Sequence, residues 1–351
     1  MSTRIQNFHP AWGAFPLSTA ATGLALFKSA EGATDFRSYI GAGLITFAAL
    51  AWLVVTGTVI ARIVRFRQDF LADLRNPQLG PLLATTPAGA MLLSSAIAQL
   101  ASQFLDDPLA IKPLATALVA LGLFGTIVIG VSFFSAIVFH SEVPVPAITG
   151  VWFIPAVALV IAPIAFSSIG GMSNVALPMS AFIFSAASWG TGFVLFLILA
   201  PLVAYRLITQ PAPPAHAIAT WWIWLAPLNA GALGLIATAH VFSGMAPGSN
   251  WPEISYVIAV GMWGFGIWWL GLALTVTLRQ RQEIHFGLPL WGLGFPIAAL
   301  ALSSFQLFEI FEFDAFNAVG LVALVSLLIL WSWLAVKTAQ GVVSGKVFNR
   351  A

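Results

Sequence analysis

The sequence predicts an all-α polytopic membrane protein, and three observations carry that prediction. Of its 351 residues, 60% are hydrophobic and only 7% charged, against about 25% charged in soluble globular chains. Apolar runs bounded by charge or by proline and glycine are long enough to cross a bilayer, which takes ~20 residues at ~1.5 Å rise. Five prolines, Pro16, Pro87, Pro155, Pro227 and Pro296, recur 71, 68, 72 and 69 residues apart. A near-constant period marks an internal repeat, and each period holds two spans. The expectation is one transmembrane domain over 1–351, built of ten helices as five hairpins.

The first span, 11–27, opens on Trp12-Gly13-Ala14-Phe15-Pro16. Arg4, the apolar run and Ser29-Ala30 imitate a cleaved leader. Lys28 interrupts the cleavage region and Pro16 belongs to the repeat, so the span is expected to be retained. Span two is 38–61, followed by 62–80, a basic stretch suited to an interfacial segment. Spans three and four are 82–104, around Thr86-Pro87-Ala88-Gly89-Ala90, and 114–139. Spans five and six are 150–168, with Pro155 and Pro163, and 178–205, with Pro201 inside and Pro178 at a harmless first position. After a stiff loop at 211–216 come 218–240, around Pro227, and 254–278. The last pair is 287–308, with Pro289 and Trp291-Gly292-Leu293-Gly294-Phe295-Pro296, and 315–336.

Interior prolines thus favour the odd spans. A proline removes a backbone donor and clashes with the carbonyl four residues back, for Pro296 that of Gly292, so each is expected to bend its helix. Such bends are tolerated where freed groups meet protein or water. Odd spans are also rich in Gly, Ala, Ser and Thr, which allow close packing or leave a lumen. Even spans, such as Leu321-Val322-Ala323-Leu324-Val325, suit lipid. Five odd helices are therefore expected around an axis, with the even ones outside.

All 26 Lys, Arg, Asp and Glu residues fall outside these limits. With the N-terminus on one side, that side receives 11 basic residues, Arg350 among them, and the other receives Lys28, Arg37 and Lys112. Acidic residues split 4 against 8 the other way. The positive-inside rule then puts both termini in the cytoplasm, with the protein integral to the cytoplasmic (inner) membrane. Neutralising Arg62 or Arg279 is expected to change conductance less than truncating Phe295 to alanine, since mouth charges are screened within ~8 Å.

Catalysis is not suggested. There is no cysteine, and His9, His140, His216, His240 and His285 lie scattered at span ends. No HExxH spacing, paired carboxylates or phosphate loop appears, so no cofactor, metal or catalytic residue is expected, and nothing suggests nucleic acid. Glu309, Glu312 and Asp314 read as a solvated rim. A substrate path must then use backbone dipoles, small residues and hydroxyls, for which Thr19, Thr86, Ser303 and Ser304 are the candidates. Gly292 and Gly294 would leave room around Phe295, as a plug or simply as a packed aromatic. The basic mouth would concentrate anions, but the opposite mouth is acidic, and these residues leave the sign of the ion open.

The stretch from Phe8 to Pro16, TGVWFIPAVAL at 149–159, WLAP at 224–227 and LWGLGFPIAALA at 290–301 resemble one family over essentially the whole chain. It comprises the bacterial tellurite-resistance protein TehA, fungal malate and sulfite transporters, and plant slow-type anion channels. The resemblance implies quasi-fivefold symmetry, odd helices lining one pore per subunit, and homotrimers in the bilayer. It implies a phenylalanine gate on the ninth helix, here Phe295, with the five repeat prolines at the family's kinks. One departure is that Pro296 follows the gate position, where the bacterial channel motif has glycine. The expected function is a passive channel or uniporter for small inorganic or organic anions. The alternative is a proton-coupled transporter or exporter of monocarboxylates, C4-dicarboxylates, sulfite or tellurite-related oxyanions.

Overall fold

Each of the five repeat prolines starts a helix rather than bending one. The structure, a computed structural model, describes residues 2–140, 142–172, 177–246 and 248–348; Arg350 lies outside them. In chain order the helices are α1 (Ser2–Gln6), α2 (Ala14–Lys28), α3 (Phe36–Arg65), α4 (Arg67–Arg75), α5 (Thr85–Phe104), α6 (Lys112–His140), α7 (Ile154–Gly170), α8 (Met179–Thr209), α9 (Ala219–Trp222), α10 (Leu225–Ser243), α11 (Trp251–Gln280), α12 (Gly294–Phe311) and α13 (Asp314–Val343).

Pro16, Pro87, Pro155, Pro227 and Pro296 are the second or third residues of α2, α5, α7, α10 and α12. A tight turn precedes each: 3₁₀ segments at Pro10–Gly13, Gly80–Ala84, Gly150–Phe153 and Leu288–Leu293, and the short α9 before α10. In the first turn the missing N–H has no helical acceptor to lose, so the ring costs little and pre-sets φ. The bend expected within each odd span is therefore a junction between a tight turn and an α-helix. It lies toward the amino end of the span instead of its middle.

These five helices close on themselves. α2 packs on α5, α5 on α7, α7 on α10, α10 on α12, and α12 back on α2. Each also packs against the long helix that follows it, α3, α6, α8, α11 or α13, which lies outside the ring. The two sets differ sharply in burial. The spans containing α5, α7, α10 and α12 are 67–83% buried within the protein, whereas the five outer helices are 17–28% buried. The outer faces carry exposed Leu53 and Val54, Leu121 and Phe124, Val194 and Ile198, Val257 and Trp268, Val322 and Ile329. A water-soluble protein does not display five such faces, and a bilayer covers them. Among the described residues nine helices are long and apolar enough to cross a membrane. The remaining ring segment, Pro10–Lys28, divides into a 3₁₀ turn and the 15-residue α2.

Four of the five outer helices, all but α6, are pinned to the ring by indole hydrogen bonds. Trp52 of α3 donates from Nε1 to the Thr86 carbonyl of α5 at 2.8 Å, and Trp189 of α8 to the Gly231 carbonyl of α10 at 2.8 Å. Trp263 of α11 donates to Ser304 Oγ of α12 at 2.8 Å, and Trp331 of α13 to Thr19 Oγ1 of α2 at 3.0 Å. Each joins an outer helix to the next ring helix along the chain, and the last joins the end of the chain to its beginning. Between apolar helices such bonds contribute roughly 0.5–2 kcal/mol each.

The basic stretch after α3 is the amphipathic α4, but one of its neighbours corrects the reading of mouth charges. Arg62 is 2% exposed and pairs with Asp73 at 2.6 Å, so solvent does not screen it. Its Nε also donates to the Gln6 carbonyl at 3.0 Å, which ties α1 and α4 to α3.

Candidate functional site

The ring encloses two cavities that meet at one side chain. The cavity at the amino ends of the ring helices holds about 290 Å³ and is lined by Ala14, Leu17 and Ser18 of α2, Thr85 and Ala88 of α5, and Ile154 and Val157 of α7. Ala226 of α10 and Phe295 and Pro296 of α12 complete that wall. The cavity toward the carboxyl ends holds about 190 Å³. It is lined by Leu24 and Lys28, by Leu92, Ser95 and Gln99, by Ile161, Ile164 and Ser168, by Ala230, Leu233, Ala237 and His240, and by Phe295, Ala299, Leu302 and Gln306. All five ring helices contribute to both. Phe295, 7% exposed, is the one described residue that lines both. At its outer limit the amino-end cavity continues into a recess of about 900 Å³ that shares His9, Gln78, Leu79 and Pro289 and carries Lys337 and Lys346.

Spacing explains which side chains face the axis. On α5 they are residues 85, 88, 92, 95 and 99, and on α7 residues 154, 157, 161, 164 and 168, with Ser167 beside the last. Alternating steps of three and four keep one stripe of a helix facing one way. A single step rotates a side chain by about 100°. That rotation decides the fate of the expected hydroxyls.

Thr19, Thr86, Ser303 and Ser304 are not among the described lining residues of either cavity. Thr19 sits one residue past Ser18 and turns outward to accept from Trp331; Thr86 sits one past Thr85 and its carbonyl accepts from Trp52. Ser303 donates to Asn229 Oδ1 at 2.8 Å, joining α12 to α10, and Ser304 accepts from Trp263. These four hold helices together. The lining hydroxyls that the sequence reading missed are Ser18, Thr85, Thr149 and Thr220 on one side of Phe295, and Ser95, Ser167 and Ser168 on the other.

The two glycines of the motif differ. Gly292 lines the amino-end cavity, and a Cβ there would stand 3.6 Å from Ala219, an ordinary contact. A Cβ on Gly294 would lie 2.7 Å from Ser18 Cβ and 2.9 Å from its Oγ. Gly294 therefore leaves no lumen; it lets α12 close against α2. Ser18 Oγ donates to the Trp291 carbonyl at 2.6 Å across the same contact. Of the repeat prolines, only Pro296 is among the described lining residues.

Charge enters both linings although no expected span contained any. Arg206, one residue beyond the expected end of span six, lies inside α8 and lines the amino-end cavity at 4% exposure. Lys28 lines the other cavity and pairs with Glu309 at the rim, at 2.5 Å. His240 lines it as well, its Nε2 2.9 Å from the Tyr256 hydroxyl. No Asp or Glu is among the described lining residues of either cavity. No group of three or more metal-ligating side chains comes together among the described residues. The arrangement can hold and pass an anion, because cationic and hydroxyl donors face the space and carboxylates do not.

Residues 7–339 match the sequence profile of the SLAC1 family, described as voltage-dependent anion channels. The chain is 27% identical to an uncharacterized transporter of Methanocaldococcus jannaschii, over 98% of this chain and 96% of that one. A second uncharacterized transporter of that organism is also 27% identical, over 99% of both chains. A sulfite efflux pump of Arthroderma otae is 24% identical over 86% of this chain and 82% of its own.

Proposed function

Because the chain belongs to the SLAC1 family of anion channels and transporters, we propose that it conducts small anions passively, as a channel or uniporter, with Phe295 as its gate. The observation that carries this reading is the pair of cavities that share only Phe295 among their described lining residues, lined by five helices, with cationic groups and no carboxylate in the described lining. An ion meeting a dry aromatic constriction loses hydration it cannot recover, a penalty of several kcal/mol. The ring thus closes the path without any charged lock. In this reading the amino ends of the ring helices face the cytoplasm, where Lys337 and Lys346 draw anions into the wider recess. Each subunit holds its own path, so a homotrimer in the inner membrane would carry three.

A second reading, proton-coupled export of an oxyanion such as sulfite, draws on His240 in the lining and on the fungal relatives named as sulfite efflux pumps. Planar-bilayer currents separate the two. Wild type and Phe295→Ala are compared in chloride, nitrate and sulfite at two pH values. Passive conduction predicts that removing the ring relieves about 3 kcal/mol, or ~10²-fold in rate. The currents should reverse at the anion equilibrium potential and ignore the proton gradient. No current in either protein, together with proton-driven uptake of sulfite in vesicles, would transfer the function to the coupled transporter. A folded Phe295→Ala protein with wild-type current would remove the gate.

A further inference from the structure

Two arginines are buried among the described residues, and they are treated differently. Arg62, 2% exposed, faces the carboxylate of Asp73 at 2.6 Å and donates to two backbone carbonyls besides. Arg206, 4% exposed, is in none of the ion pairs of the described residues. Its Nη1 donates to the Pro211 carbonyl at 2.9 Å, and its Nε–H has no acceptor. It is the one Lys or Arg among the described lining residues of the amino-end cavity, where no Asp or Glu faces it.

A guanidinium out of water is retained where a counter-charge completes it. Asp73 does this for Arg62. No described residue does it for Arg206, although the loop of Pro211, Pro213 and Pro214 holds the side chain against the cavity. With Nη1 committed to Pro211, Nη2 and the enclosed, unpaired Nε–H remain on the other edge of the guanidinium. Two parallel N–H bonds from that edge match two oxygens of a single oxyanion, whereas a halide must take both on one atom, off the line of each.

We propose that Arg206 is the contact residue of an anion-binding site in the amino-end cavity, selective for small oxyanions such as nitrate or sulfite over halides. The site deepens the transport reading above and rests on it only for its role. Arg206 captures the anion on the near side of Phe295, and Thr149 and Thr220, which line the same cavity, offer hydroxyls to its remaining oxygens.

Binding is tested at equilibrium on the purified full-length protein in detergent. Thermal unfolding is followed by tryptophan fluorescence against sodium nitrate, sodium sulfite and sodium chloride, with sodium gluconate holding ionic strength constant. Wild type should show a saturable rise in Tm with both oxyanions, half-maximal at a concentration at least tenfold below that for chloride. Arg206→Gln should lose that rise, and Arg206→Lys should keep binding while losing the preference over chloride. An equal rise in Arg206→Gln, or none in wild type, overturns the site. Should Arg206→Gln fail to fold, phenylglyoxal labelling of wild type, read by peptide mass spectrometry, decides. Sulfite should protect Arg206, and unchanged labelling overturns the proposal. A Phe295→Ala protein that carries no current would sink the transport reading and leave these binding results standing.

Discussion

Arg62→Gln is expected to destabilise the protein by about 3–5 kcal/mol, the cost of leaving one member of a buried ion pair without its partner. The magnitude follows from how completely the pair is enclosed. The side chains are 2% and 5% exposed, with 2.6 Å between Nη1 and Oδ2. Screening over ~8 Å acts on charges in solvent, and neither of these is. The substitution also releases the Gln6 carbonyl at 3.0 Å and the Asp69 carbonyl at 3.3 Å, so α1 and α4 loosen from α3 together. The measurement is unfolding by sodium dodecyl sulfate in mixed micelles, followed by helical circular dichroism. The double variant Arg62→Met/Asp73→Leu removes both charges and should recover most of the loss, because replacing a buried pair by apolar groups is often neutral or stabilising. The coupling between the sites should therefore exceed about 2 kcal/mol. An Arg62→Gln protein within ~0.5 kcal/mol of wild type, the range of ordinary surface changes, would refute the reasoning.

Trp331→Phe, which cuts the bond from α13 to Thr19, should cost about 0.5–2 kcal/mol in the same assay; adding Thr19→Val should cost little more, since both remove one interaction. Gly294→Ala places a methyl 2.7 Å from Ser18 Cβ and should cost roughly 1–3 kcal/mol through overpacking, with partial recovery in Gly294→Ala/Ser18→Gly measured by thermal unfolding. Asp35 accepts hydrogen bonds from the Arg37 side chain and from the backbone N–H groups of Arg37 and Glu31, which hold its carboxyl far below the ordinary carboxylate range. A lowered folded value stabilises above the ordinary range and is lost as pH falls through it. The stability difference between wild type and Asp35→Asn should therefore be widest near neutrality and close in acid, and a difference that grows on acidification would contradict this.

Composition and proline period were enough to read a polytopic helical membrane protein, a repeat of paired spans and the ring of odd segments. Those properties belong to long segments, and the bilayer demands about twenty apolar residues whatever the partners. The motif around Phe295 was legible too, because a single bulky ring between Gly292, Gly294 and Pro296 stands out in one dimension. Which hydroxyls face the axis was not. Ser18 and Thr19, or Thr85 and Thr86, are interchangeable in composition and differ only by a rotation of about 100°. The indoles of Trp331 and Trp52, distant in the chain, take up Thr19 and the Thr86 carbonyl. The site of each bend also needed three dimensions, since a proline signals a break without saying whether it falls within a helix or begins one. Charge was the hardest to read. Arg62, Arg206 and Arg279 look alike beside apolar spans, yet Arg62 meets Asp73 through the turn into α4 and Arg206 folds against its proline loop toward a cavity. Burial and counter-charge are properties of neighbours brought together by folding, and they decide whether a basic residue is a solvated mouth charge, a structural pin or an anion contact.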